Sequence, residues 1–126
     1  MESVPPKEVV WVGSSLQDIK SFPDSVKQTM GFALFQAQRG GKHLQAKVLK
    51  GFKGSGVLEV VEDYDGDSFR MMYTVRFSDA VYVLHSFQKK SKKGIETPKH
   101  EMDMVEARLK IAAKLHESRQ KQKKGK

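Results

Sequence analysis

Residues 69–93 read FRMMYTVRFSDAVYVLHSFQKKSKK. Alternation at the start of this stretch sets Met71, Tyr73, Val75 and Phe77 on one side and Arg70, Met72, Thr74 and Arg76 on the other, the pattern of a strand with one dry and one mixed face. Ser78 and Asp79 turn the chain, and residues 81–87 alternate again. Val81, Val83, His85 and Phe87 share one side, with Tyr82, Leu84, Ser86 and Gln88 opposite. The two stretches are predicted to pair as an antiparallel hairpin. It exits into Lys89, Lys90, Lys92 and Lys93, four lysines in five residues, which poses a choice between a solvated run and a phosphate-facing edge.

Upstream, residues 45–49 and 57–62 read as two further strands, joined by the loop KGFKGSG, and Asp65-Gly66 marks a turn. Residues 9–12 form an opening strand containing Trp11. Ser14 or Ser15 starts a short helix that Pro23 ends. Asp24 or Ser25 caps a longer one, in which Val26, Met30, Leu34 and Ala37 recur at helical spacing until Gly40-Gly41. Downstream, Thr97 and Pro98 open a last helix with Met102, Val105, Leu109 and Ala112 inward and Arg108, Lys110 and Lys114 outward. The order predicts an α+β fold: a small antiparallel sheet of about four strands, an N-terminal helical hairpin and a C-terminal helix. Residues 1–116 read as one domain and residues 117–126 as a basic, disordered tail.

At 126 residues, 38% of them apolar, the chain has material for one cooperative core. It has no cysteine, which removes disulfides and thiolate metal sites and suits a reducing cytosol. Neither a signal peptide nor a membrane span is legible, so a soluble, cytoplasmic protein without membrane contact is expected. Residues 1–88 hold ten Lys/Arg and ten Asp/Glu, whereas residues 89–126 hold thirteen against five. The whole excess of +8 therefore sits in the last third, a directed field suited to a polyanion such as nucleic acid.

If the hairpin pairs in register, Arg70 and Arg76 converge with the lysine exit, and Lys50 and Lys53 of the glycine-rich loop lie nearby. Clustered cations repel and need a reason to be together. His85 is the one histidine inside a predicted strand. His43, His100 and His116 lack metal-ligand spacing, and Glu62, Asp63, Asp65 and Asp67 fail the calcium-loop pattern, so no metal and no cofactor is expected. KGFKGSG lacks the ending of a phosphate-binding P-loop.

The ordered series LKGF, LEV, FRMMYTV and YVLHSFQKKSKK, running into a helical TPKHEMDMVEARLK, resembles the RelE/ParE toxin superfamily in its HigB-like, phage-derived branch. The resemblance covers almost the whole chain. It implies a toxin of a type II toxin-antitoxin pair, an endoribonuclease that cuts messenger RNA on the ribosome, with a helix-turn-helix antitoxin as partner. Arg70 matches the strand arginine near the scissile phosphate, and Lys50 and Lys53 fall near the basic loop. Phe87, Gln88, Lys89, Lys90, Lys92 and Lys93 match the basic, aromatic-bearing end of the last strand. The strand LEVVE lacks an arginine that many members carry, and Phe87 stands where some have tyrosine.

Cutting RNA through its own 2′-hydroxyl needs alignment, a base, an acid and cations, and no metal. Arg70, His85, Lys89 and Lys90 are the catalytic candidates, with Lys50, Lys53, Arg76, Phe87, Gln88, Lys92 and Lys93 holding RNA. His85 and a lysine crowded by other cations both remain open for proton transfer. Two other functions remain open: a noncatalytic ParE-like toxin acting on a protein such as gyrase, and a basic phage-encoded nucleic-acid-binding module. Arg70, read on the polar strand face, is expected to be removable without loss of the fold.

Overall fold

A computed structural model describes residues 5–52, 54–90 and 97–124. Its elements are β1 (Glu8–Trp11), α1 (Ser15–Lys20), α2 (Asp24–Gln38), β2 (Ala46–Val48), β3 (Val57–Tyr64), β4 (Asp67–Thr74), β5 (Ala80–Lys89) and α3 (Lys99–Lys124). The fold is α+β, with a five-stranded sheet in the order β1-β5-β4-β3-β2. Four strands are antiparallel neighbours as the alternation predicts. The fifth is β1, which lies parallel to β5 with Val10 opposite Tyr82. After Glu8 its residues are apolar on both sides: Val9 and Trp11 pack into the core under α1 and α2, and Val10 into the core under α3. A strand dressed that way is suited to cover on both faces.

The β3–β4 turn has Asp65 at φ 51 and Gly66 at φ 86, the two positive values that a two-residue hairpin of matching twist requires. The acidic run from Glu62 to Asp67 is thus a hairpin tip.

Between β4 and β5 the register shifts. Met72 pairs with His85 and Tyr73 with Val83, which leaves Leu84 as an extra residue. One inserted residue sends every later side chain to the opposite face. His85 and Phe87, expected beside Val81 and Val83, instead join Tyr82 and Leu84 beneath α3, while Ser86 goes to the side of Met71. The α1/α2 side is closed by Val26, Met30, Ala33 and Leu34 on Leu58, Val60, Met71, Tyr73 and Val83. On the other side Val105 and Ala112 cover Val57, Met72, Tyr82, Leu84 and Phe87. Phe77 also departs from its predicted face, since β4 ends at Thr74 and the ring crosses over to lie edge-on to Tyr82, 5.4 Å between centroids.

The inward stripe of α3 includes Met102, Val105, Leu109 and Ala112, as expected. The helix does not stop near residue 117, however, but continues to Lys124. Apolar periodicity lapses there, and polar anchors replace it: His116 and Arg119 both reach Asp79. No helix among the described residues is long and apolar enough to cross a membrane.

Candidate functional site

Glu59 is a carboxylate in an otherwise apolar strand segment, Val57-Leu58-Glu59-Val60-Val61. Period-2 geometry turns it to the α3 face, level with Lys47 on β2 and Met72 on β4. A largely buried carboxylate needs partners, and Arg70 and Thr97 are two of them. Arg70 Nη1 donates to Glu59 Oε2 at 3.3 Å, and the Thr97 hydroxyl donates to the same oxygen at 2.8 Å. Arg70 Nη1 also donates to Thr97 Oγ1 at 3.1 Å, and its Nε to Ser68 Oγ at 3.2 Å. Thr97 therefore bonds across to the sheet, and the carbonyl of Pro98 takes the first amide bonds of α3. Beside this set lies a groove of about 520 Å3 lined by Lys47, Val48, Leu49, Lys50, Gly51, Glu59, Thr97 and Met102. Two lysines and one carboxylate thus share an open surface, with a guanidinium behind the carboxylate.

The residue across Met72 from Glu59 is His85, on the same face two strands away. Its Nε2 lies 2.8 Å from Glu101 Oε1, and Arg108 Nη1 lies 3.1 Å from its Nδ1. A guanidinium only donates, so Nδ1 accepts and the ring proton sits on Nε2, facing Glu101. Arg108 Nη1 also donates to the carbonyl of Leu84, the extra residue of the bulge, at 3.1 Å. Its Nη2 donates to Ser14 Oγ, which in turn donates to Asp18 Oδ2. Gly13 permits this approach, because a Cβ there would meet Arg108 Nε at 2.7 Å.

A second ionic set lies farther along α3. Asp79 Oδ2 accepts from Tyr82 OH and from Arg119 Nε, both at 2.9 Å, and its Oδ1 accepts from His116 Nδ1 at 2.7 Å. Arg119 Nη2 also meets Glu8 at 2.7 Å, and Phe77 stacks on His116 at 4.8 Å. Burial alone raises the Asp79 pKa, but the bonds from Tyr82, His116 and Arg119 outweigh it and hold the group below its usual 3.8.

The structure brings together Arg70, Phe87 and Lys89: Arg70 pairs with Phe87, and Lys89 with Ser68, all on the α3 face. Lys50 joins from the groove. The expected crowd of cations is interleaved with carboxylates, since Arg70 meets Glu59 and His85 meets Glu101. Arg70 is a buried ion-pair partner, 5% exposed, rather than a solvated strand arginine. Phe87 is buried too, stacked on His85 at 5.4 Å. Gln88 points away to Asp67, and Lys90 is exposed beyond the strand end. Arg76 does not converge: it lies six residues from Arg70, roughly 20 Å along an extended chain, with its guanidinium over Phe77. Lys53, Lys92 and Lys93 lie outside the described residues.

Sequence reasoning missed Lys47, Glu59, Thr97, Glu101 and Arg108. Two of these were legible. A lone carboxylate inside an apolar strand calls for a partner, and Arg108 falls in the helical series 101, 105, 108, 112 with the buried Val105 and Ala112, so it faces the sheet rather than solvent.

Residues 17–110 match the model of a family described as Phage derived protein Gp49-like (DUF891). The chain belongs to that family. The match runs from α1 through the first half of α3, and so takes in both the groove and the His85 set. The search of curated proteins gives no match, and neither does the search of solved structures.

Proposed function

We propose that the chain is a RelE-like toxin that cuts messenger RNA by metal-independent transesterification while the message occupies the ribosome. The Gp49-like family is commonly associated with RelE-like toxins. The observation that carries the chemistry is the groove in which Lys47 and Lys50 flank Glu59, with Arg70 and Thr97 holding its carboxylate. In this reading Glu59 takes the proton from the ribose 2′-hydroxyl, and the 2′-oxygen attacks the adjacent phosphorus. Lysines and Arg70 balance the charge of the phosphorane. The bond to the 5′-oxygen breaks as that oxygen is protonated, leaving a 2′,3′-cyclic phosphate and a 5′-hydroxyl. His85 carries a proton on Nε2 and is the nearby donor on the same face. The basic last third draws the chain to RNA, and a helix-turn-helix antitoxin restrains it in the cytoplasm.

Mapping message ends after adding the purified chain to translating ribosomes tests this. Cleavage that persists in EDTA and disappears in Glu59→Gln is expected. Intact messages alongside arrested growth would instead favour the noncatalytic reading, with a protein such as gyrase as target.

A further inference from the structure

On the far side of Gly51 and Met102 from Glu59 lies a second groove, of about 450 Å3, lined by Gly51, Phe52, Ser55, Met102, Glu106, Leu109 and Lys110. It shares Gly51 and Met102 with the first, so the two form one trough along the side of α3. Their chemistry differs. The first offers two lysines and a carboxylate, groups that handle a phosphodiester. The second is mainly apolar, walled by Phe52, Met102 and Leu109, with Glu106 and Lys110 at its exposed mouth. Gly51 keeps the saddle between them low: its φ is +90, and it lies close enough that a Cβ would contact Met102 Cε at 3.7 Å. A polyanion with flat apolar faces on one edge fits both halves at once, and single-stranded RNA has that form.

We propose that this second groove is a nucleobase subsite, in which the base next to the scissile phosphate stacks on Phe52 against Met102 and Leu109. This rests on the proposed RNA-cutting reading and adds to it a base-binding residue outside the set that handles phosphate. Stacking on an aromatic face tolerates any base, so the subsite contributes grip and placement before it contributes sequence preference. Glu106 and Lys110, one helical turn apart, keep the mouth wet, which leaves the edges of the base solvated while its face is covered.

The test uses the full chain and short single-stranded RNAs carrying 2-aminopurine at one position, with fluorescence quenching as a readout independent of cleavage. Quenching at one labelled position is expected. It should be lost in Phe52→Leu, which keeps apolar packing but removes the aromatic face, together with affinity weaker by roughly tenfold. An unchanged melting temperature in Phe52→Leu confirms that the loss is local. RNA cleavage without quenching at any position overturns the subsite and leaves the toxin reading standing. Quenching of the free RNA without any cleavage of messages on translating ribosomes supports the subsite and removes the nuclease. Quenching retained in Phe52→Leu, or no binding of the RNA at all, overturns the subsite.

Discussion

Beneath each end of α3 a histidine and an arginine are set against carboxylates, yet the two ends differ in what surrounds the acid. At the C-terminal end Asp79 is 2% exposed and accepts three hydrogen bonds, with Phe77 stacked against the histidine. At the N-terminal end Glu59 is 15% exposed, with the bonds from Arg70 and Thr97 both falling on one oxygen, and it opens on a groove shared with Lys47 and Lys50. A saturated, sealed carboxylate has nothing left to offer a substrate and functions as a clamp. A more exposed one that opens on cations is equipped for chemistry.

The comparison breaks most visibly at Glu59. Glu59→Gln keeps the shape but not the base, and is expected to slow RNA cleavage by about 100- to 10,000-fold. Asp79→Asn, assayed where both variants are folded, should leave the cleavage rate unchanged. Equal losses in single-turnover assays would erase the distinction between clamp and site. Arg70→Ala is a blunter tool than the sequence implied. Its guanidinium is buried against Glu59, so removal should cost about 3 to 5 kcal/mol of stability as well as activity, measurable by urea denaturation.

Next in size is the clamp itself. Asp79→Ala leaves Tyr82, His116 and Arg119 without their shared acceptor and is expected to cost about 3 kcal/mol. The pH dependence has a definite sign. Because the folded-state pKa of Asp79 lies below its usual 3.8, its stabilisation is present above that value and is lost as pH falls through the folded one. Melting curves between about pH 5 and 2 should fall more steeply for the wild type than for Asp79→Asn. Parallel curves would mean that the clamp contributes nothing.

How far the sequence revealed this depends on the kind of signal. Helices α1 and α2 and the inward stripe of α3 were legible because apolar residues recur at helical spacing, and strands β3 to β5 because apolar, β-branched and aromatic residues run between turn signals. The bulge at Leu84 was not, since one extra residue in VYVLHSF leaves the alternation of letters intact while reversing the faces of His85 and Phe87. The last turns of α3 were missed for a related reason. They are held by Arg119 to Asp79 and Glu8, contacts between residues forty or more positions apart that no local period records. In the site, Arg70 and Lys50 were visible as cations, but their carboxylate neighbour was not sought, so a mixed-charge groove was read as a cationic patch.

A smaller effect is expected at Arg108, which ties the bulge to the histidine. Arg108→Met keeps the length of the side chain but leaves His85 Nδ1 and the Leu84 carbonyl without their donor, at a cost of about 1 to 3 kcal/mol. Nitrogen-15 spectra of the imidazole should show the Nε2-protonated tautomer in the wild type and a mixture in the variant. An unchanged tautomer would remove Arg108 as the residue that orients His85.

The finest test uses two buried tyrosines, on opposite faces of the sheet, that differ in their hydroxyl partners. Tyr73 lies under α1 and α2, and its hydroxyl has no partner among the described residues. Tyr82 lies under α3 and donates to Asp79. Burial pushes the Tyr73 pKa up to about 12. Burial also raises Tyr82 to about 12, helped by its bond to Asp79 and by that carboxylate's charge. Removing a bonded hydroxyl and leaving its acceptor in place costs about 1 kcal/mol, so Tyr82→Phe should destabilise by that amount. Removing a buried hydroxyl that has no partner relieves a desolvation cost, so Tyr73→Phe should be neutral or slightly stabilising. At high pH both tyrosines act with the same sign. A folded-state pKa raised above the usual 10 gives stability that is present below about pH 10 and is lost as pH rises through about 12. Each Phe variant should therefore unfold less steeply than the wild type over that window, and only Tyr82→Phe should start from a lower stability at pH 7. If the two variants are equally destabilised at neutral pH, the bond from Tyr82 to Asp79 adds nothing to the clamp.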